Sequence, residues 1–286
     1  MAHDRFNTAL YGHQHPYGRP VEGFSKTVQK LTRQNLLAWH RSHTHPERSI
    51  LSIVAPFPVR TALRCIERYF GPWQCAQDVI PAEARIQKSS YQSGWISAFA
   101  EMTADKRIRL RAPFQQAYFM TGVVAPSALD PDYLVLKVLN TVLGGGMSSR
   151  LFLQLREELG LAYEVASFFP SRLRASQWVI YLGLPVEKLK TAEKKLNGIL
   201  RKISRQGPTP AEIKQAKHMI KGAYAMEHQT RRRQAWYAAW WEFLGKGAGF
   251  DRLFPKAVDA VTPSAVHALA QRLLAQPHVT VEVVPQ

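Results

Sequence analysis

The sequence lacks the pieces from which a metal site or a disulfide framework is built. Its ten histidines stand at 3, 13, 15, 40, 43, 45, 218, 228, 267 and 278, and no two are four residues apart. HxxEH and HExxH zinc sites need two imidazoles on one helical turn with a glutamate beside them, so neither motif is present. The densest group, His40, His43 and His45, could hold a metal with an outside carboxylate such as Glu47, but His43–Pro46 falls in a predicted turn and the spacing matches no known ligand set, so it reads as a chance, partly exposed cluster. His218 and His228, ten residues apart on a predicted helix, have no third ligand nearby. Cysteine is scarce: Cys65 and Cys75 are the only two, too few for a disulfide framework, and no bridge between them is predicted. No apolar run reaches the ~18 residues of a membrane span. No basic-then-apolar leader opens at Met1, so no signal peptide is expected. No G-x-S-x-G elbow exists to present a serine nucleophile.

Acidic residues are also few, 21 against 38 Lys and Arg, which leaves a formal charge of +17. Such a balance invites a nucleic-acid reading. The basic residues are dispersed, however: Arg107, Arg109 and Arg111 alternate along one predicted strand, Lys and Arg punctuate a helix over 185–205, and Arg231, Arg232 and Arg233 form the densest local patch. No RRM, KH or helix-turn-helix signature accompanies them. Solvated helix faces account for most of this charge, and no nucleic acid is expected as a partner. The remainder suits attraction to an acidic subunit, an acidic peptide or an anionic surface.

What is present is a packed-core composition, 46% hydrophobic with seven Trp, ten Tyr and thirteen Phe, and one unusual block at 143–163, LGGGMSSRLFLQLREELGLAY. Gly144, Gly145 and Gly146 separate two apolar-periodic segments. Glycine permits close backbone approach, so such a loop can hold a peptide main chain or an anion, or can simply connect two helices. A helix is expected over 148–159, with Ser148 and Ser149 as its cap. Gly160 stops it, and a strand follows over 162–169. Arg156 near the end of that helix carries five donors and a permanent charge. Tyr163, seven residues on, stands where the strand starts. Read without any relative, Arg156 is a surface residue paired with Glu157 or Glu158, and Tyr163 is half-buried.

The block resembles the second half of the M16 metallopeptidases, the pitrilysin, insulinase and mitochondrial processing peptidase group. The resemblance covers nearly the whole chain. His13–Gly23, HQHPYGRPVEG, is similar to that family's HPY-G-P-x-x-G segment; His45-Pro46-Glu47-Arg48 resembles a turn leading to a strand at 49–55; ALRCIERYFGPW at 62–73 resembles a domain-closing helix. Pro56-Phe57-Pro58 departs from the family's usual Gly-Asp. The resemblance implies an α+β fold, a mainly antiparallel sheet covered on one face by helices, with a truncated copy before it. It implies domains at 1–73 (the end of a first M16-like domain without its zinc-motif portion), 74–105 (a linker with an edge strand near 93–101) and 106–286 (a second M16-like domain).

By the same resemblance, Arg156 and Tyr163 would bind the substrate carbonyl and help stabilise its developing oxyanion. Gly144, Gly145 and Gly146 would line the substrate chamber. This chain would hold no metal and would be inactive alone. Zinc would sit in a complementary HxxEH segment or subunit, giving a dimer acting on a peptide substrate. A bacterial periplasm or cytoplasm is implied, the periplasm ahead. A non-catalytic scaffold or peptide-binding subunit of an M16-containing complex is the second reading. Elsewhere the pattern predicts a strand at 117–124, a helix at 133–143, strands at 162–169 and 176–184, and a helix from Pro185 to about 205. A capping box at Thr209–Glu212 opens a helix to about 244, kinked near His228. A helix then starts at Thr262-Pro263, and a strand covers 278–284.

Overall fold

The computed structural model describes residues 1–73 and 104–286. The linker and edge strand expected within 74–105 therefore lie almost entirely outside the described residues, as does Cys75. The helices are α1 (Ala2–Tyr11), α2 (Ser25–Val28), α3 (Arg33–His43), α4 (Val59–Phe70), α5 (Tyr133–Gly144), α6 (Leu189–Gln206), α7 (Pro210–Glu227), α8 (Arg231–Phe243), α9 (Phe250–Asp259) and α10 (Pro263–Leu274), with a π-helical segment at Phe152–Glu158. The strands are β1 (Lys106–Ala112), β2 (Ala117–Ala125), β3 (Glu164–Phe168), β4 (Ser176–Leu184) and β5 (Val279–Pro285).

The strands form one sheet in the order β1-β5-β2-β4-β3. Only β1 and β5 run parallel; β2 pairs antiparallel with both β5 and β4, and β3 pairs antiparallel with β4. The fold is thus α+β with a mainly antiparallel sheet. Strand side chains alternate between the faces. On one face Trp178 donates its indole N–H to Asn140 of α5 at 3.1 Å, and α5, α6 and α10 pack together over that side. On the other face Met120, Val124, Val179, Val281 and Val283 meet Phe6, Leu10 and Tyr11 of α1 in one buried cluster. Gly122 makes this contact close, because a Cβ there would lie 3.0 Å from the Phe6 ring.

Glu282 interrupts the apolar run of β5 and is buried. Arg107 and Arg109, one strand over, neutralise it at 2.6 and 3.3 Å. Part of the alternating basic row on β1 is therefore counter-charge for an interior carboxylate, since a buried charge must be paired.

The described residues cluster into two compact units: one within Met1–Val21, Ser90–Gly222 and Pro255–Gln286, which holds the sheet, and a second within Glu22–Ser89 and Ala223–Phe254. In the second unit, the strand expected at 49–55 forms no ladder among the described residues. A strand exists only where a neighbour accepts its N–H and C=O groups, and no described strand does so. The long helix expected to reach about 244 is two helices. Thr230 accepts from the N–H of Arg233 and starts α8 afresh, while the His228 ring binds the Tyr224 carbonyl at 2.6 Å and Asp251 at 2.9 Å, closing the end of α7. α9 is not expected from the sequence, because Pro255 stands inside it. Proline leaves the carbonyl four residues earlier without its helical partner; that carbonyl, on Asp251, accepts the Tyr224 hydroxyl at 3.4 Å. Among the described residues, no helix is long and apolar enough to cross a membrane.

Candidate functional site

The glycine run does two different jobs. Gly144 is the last residue of α5 and is buried. A Cβ there would sit 2.4 Å from the backbone nitrogen of Ser167 and 3.0 Å from the carbonyl carbon of Ala166, so only glycine lets the end of α5 touch β3. Ser167 adds a hydrogen bond to the Asn140 carbonyl at 3.1 Å. Gly145 is exposed and Gly146 half-buried; these two form the accessible part of the loop. Helical structure resumes at about Arg150, later than expected, and passes at once into the π-helical segment at Phe152–Glu158. Ser149 does not cap it through its side chain: the hydroxyl turns back and donates to the Gly146 carbonyl at 2.6 Å.

Arg150, which no motif in the sequence marks, ties the loop to α7. Its guanidinium reaches Glu212 at 2.5 and 2.8 Å and the Gly207 carbonyl at 3.0 Å. Glu212 is also the acidic member of the capping box, accepting from the Thr209 N–H at 2.7 Å and its hydroxyl at 2.9 Å. Burial alone would raise this carboxyl, but the donors from Arg150 and Thr209 overrule it and hold the pKa down at about 2. The box was legible in the sequence. Its partner sixty-two residues away was not.

The π-helical segment carries Arg156. Only Leu155 in it is buried, so its other side chains stand away from the core. The Arg156 side chain is 47% exposed, with Glu157 at 3.8 Å, an exposed pair that holds it weakly. Its guanidinium carbon lies 4.9 Å from the centre of the Phe152 ring. The exit from the segment is tightly bonded. The Leu155 carbonyl accepts the N–H groups of Leu161 at 2.8 Å and Ala162 at 3.3 Å, and the Arg156 carbonyl accepts that of Gly160 at 3.1 Å. Gly160 takes φ of 55°, a conformation glycine adopts without a Cβ penalty. Tyr163 is then pinned to β4 through its N–H on the Gly183 carbonyl at 2.9 Å, and its side chain is 61% exposed. Arg156 and Tyr163 therefore project into solvent from the two ends of one braced turn.

Next in the chain after Tyr163, Glu164 starts an aromatic row on the face of the sheet that carries α1. Glu164 accepts the Tyr181 hydroxyl at 3.1 Å. Tyr181 stacks on Tyr118 at 6.1 Å, and Phe114 meets Tyr118 edge-on at 5.6 Å. Burial and the adjacent Glu164 carboxylate push the Tyr181 phenol well above its ordinary range. The signal for this row was the strand register, which no single strand reveals: Tyr118 and Glu164 both face Gly183 from opposite sides.

Among the described residues, no three His, Cys, Asp or Glu side chains gather so as to hold a metal ion. His43 instead stacks on Trp39 at 4.4 Å and bonds its carbonyl at 2.9 Å. Zinc therefore does not fit the donor set described for this chain.

Residues 30–220 match the family model described as peptidase M16 inactive domain. An uncharacterized zinc protease of Mycobacterium leprae is 27% identical across 95% of this chain, and one of Bacillus subtilis is 24% identical across all of it. The chain spans about six-tenths of the length of these curated relatives, 58% of the first and 65% of the second. Among solved structures, an M16 inactive domain from Pseudomonas fluorescens superposes on the whole chain with a TM-score of 0.84 at 21% identity. A protease from Helicobacter pylori gives 0.85 at 18%. The chain covers 65% and 67% of those two, and at such identities they bear on the fold alone.

Proposed function

This chain belongs to the M16 peptidase family, within its inactive-domain class, and from that premise we propose that it supplies the non-zinc portion of a peptide-hydrolysis site. Arg156 and Tyr163 are the residues it brings. The guanidinium donates to the carbonyl oxygen of a bound peptide, and the phenol donates to the same group or its neighbour. Donors fixed before reaction stabilise charge as it develops on that oxygen. Gly145 and Gly146 line the approach, with Gly144 holding them against β3. The site is completed by a zinc-bearing HxxEH segment or subunit, and residues 1–73 are the tail of the domain that would carry it. Alone, the chain is inactive.

The observation that supports this reading most directly is the bracing of the turn between Arg156 and Tyr163, which fixes both backbones while leaving both side chains in solvent. The test mixes this chain with a separately expressed zinc-bearing M16 polypeptide and measures peptide cleavage. Arg156→Ala is expected to lower kcat/KM at least a hundredfold, in the ~10²–10³ range for removing one oxyanion donor, and Tyr163→Phe about tenfold, the ~1.4 kcal/mol of one neutral hydrogen bond. Cleavage by Arg156→Ala at the wild-type rate defeats the assignment. Stable peptide binding without turnover in any mixture favours the scaffold reading.

A further inference from the structure

The sheet carries a carboxylate set among aromatic rings. Strand partners share a face, so Tyr118, Gly183 and Glu164 form one row across β2, β4 and β3. Gly183 has no side chain, and the row therefore holds a slot floored by backbone. Tyr118 and Glu164 wall it, with Cα atoms two strand spacings, about 10 Å, apart. Tyr181 lies on the same face two residues before Gly183. Its ring is within 20° of parallel to that of Tyr118, with 6.1 Å between centres, and Phe114 meets Tyr118 edge-on at 5.6 Å. α1 covers this face over Phe6, Met120 and Val179. Tyr118 and Tyr181 border that cluster and stay half-buried, while Phe114 and Glu164 are exposed. The Glu164 carboxylate lies over the floor, because a Cβ on Gly183 would be 3.4 Å from its Oε2. The same Oε2 accepts the Tyr181 hydroxyl at 3.1 Å. Oε1 has neither a hydrogen bond nor a cation against it among the described residues.

An oriented carboxylate beside aromatic faces, without a counter-charge, matches a cation, which the rings attract through their faces and the carboxylate through a charge-assisted hydrogen bond. Of the two side-chain cations, the guanidinium fits better. It is planar and weakly hydrated, so it can lie on a ring and still donate in its own plane, whereas an ammonium is a compact, strongly hydrated point. The chain already uses this pairing internally, with the Arg172 guanidinium 5.1 Å from the Tyr11 ring centre and 4.4 Å from that of Tyr17. We infer that Tyr118, Tyr181 and Glu164, over Gly183, bind the arginine side chain of a peptide, its guanidinium lying on the tyrosine rings and donating to Glu164 Oε1. β3 is the last strand on its side of the sheet, so an extended chain passing that edge reaches the slot. The chain re-enters the described structure at residue 104 on the β1 edge, four strand spacings or about 19 Å from β3. The net charge of +17 opposes any cation at long range, but a screening length of ~10 Å at 0.1 M salt leaves the short contacts to decide. The site requires neither Arg156 nor Tyr163.

The test titrates the full chain with the blocked peptide acetyl-Ala-Ala-Arg-Ala-Ala-amide and follows the ring signals of labelled tyrosine by NMR. Saturable shifts at Tyr118 and Tyr181 are expected. The peptide with citrulline, the neutral isostere, in place of arginine is expected to bind at least tenfold more weakly. Glu164→Gln keeps an acceptor for the Tyr181 hydroxyl and removes the charge; it is expected to weaken the arginine peptide at least tenfold, and Tyr118→Leu at least threefold, with urea midpoints like wild type. Arg156→Ala is expected to bind as wild type does. Absence of saturable shifts at the two tyrosines, equal binding of the citrulline peptide, or undiminished binding by Glu164→Gln each overturns the inference. Tighter binding of the lysine peptide overturns the choice of guanidinium, and loss of binding in Arg156→Ala moves the peptide to the other site and overturns this one.

Discussion

Gly144 shows how much one hydrogen atom can decide. The sequence presents it as the first of three equivalent glycines in a loop. The structure gives it a packing role, with Ser167 backbone 2.4 Å from where a Cβ would be. Backbone cannot swing aside as a side-chain end can, so Gly144→Ala must push α5 from β3. The expected cost is about 1–3 kcal/mol, the range for overpacking, read as a lower midpoint in urea unfolding. The equivalent change at Gly146 meets only the flexible end of Met219 and is expected to be milder. Arg156 is the opposite case. It is exposed and weakly paired, so its loss is expected to leave stability within about 0.5 kcal/mol, as for ordinary surface substitutions. A residue that matters for cleavage and not for folding is what the proposed role requires.

Between elements, the coupling that matters is Arg150 with Glu212. It fastens the segment after the glycine loop to the first turn of α7. The folded carboxyl titrates at about 2 instead of its ordinary 4.5. A depressed carboxyl contributes stability above its unfolded pKa and loses that contribution as pH falls toward the folded one. Glu212→Gln is therefore expected to cost about 2 kcal/mol at neutral pH, typical of a charge-assisted hydrogen bond. The gap to wild type should narrow as pH falls from 4.5 toward 2, measured by unfolding midpoints across that interval. A gap that stays constant with pH would assign the loss to packing instead. The break between α7 and α8 belongs to this scale too. Hydrophobic periodicity runs through it, and the stop is made by local hydrogen bonds at His228 and Thr230. Ser and Thr at such points compete with the helical backbone, but whether they win depends on partners such as Asp251, twenty-three residues away.

Across the molecule, α1 is the connection of longest range. It comes first in the chain and packs on β2 and β5, the last strand. Phe6 is fully buried there. Phe6→Ala is expected to cost about 3–5 kcal/mol, as for large-to-small changes in cores, and to lower Tm. A Phe6→Ala protein with unchanged Tm would mean that α1 is dispensable to the sheet.

The sequence by itself determined the strands expected at 117–124, 176–184 and 278–284, the helix ending in the glycines and the capping box at Thr209. In each of these, local propensity, periodicity and turn chemistry agree. It also determined that no HxxEH zinc site can form, since side-chain spacing is covalent. Only the tertiary structure decided that Gly144 packs instead of lining, that Arg150 rather than a serine side chain anchors the loop, that Tyr118, Tyr181 and Glu164 stand together, and that 49–55 pairs with no described strand. All of these depend on which distant segment arrives at a given backbone, and register and partner choice are energies of pairs that no single stretch of chain contains.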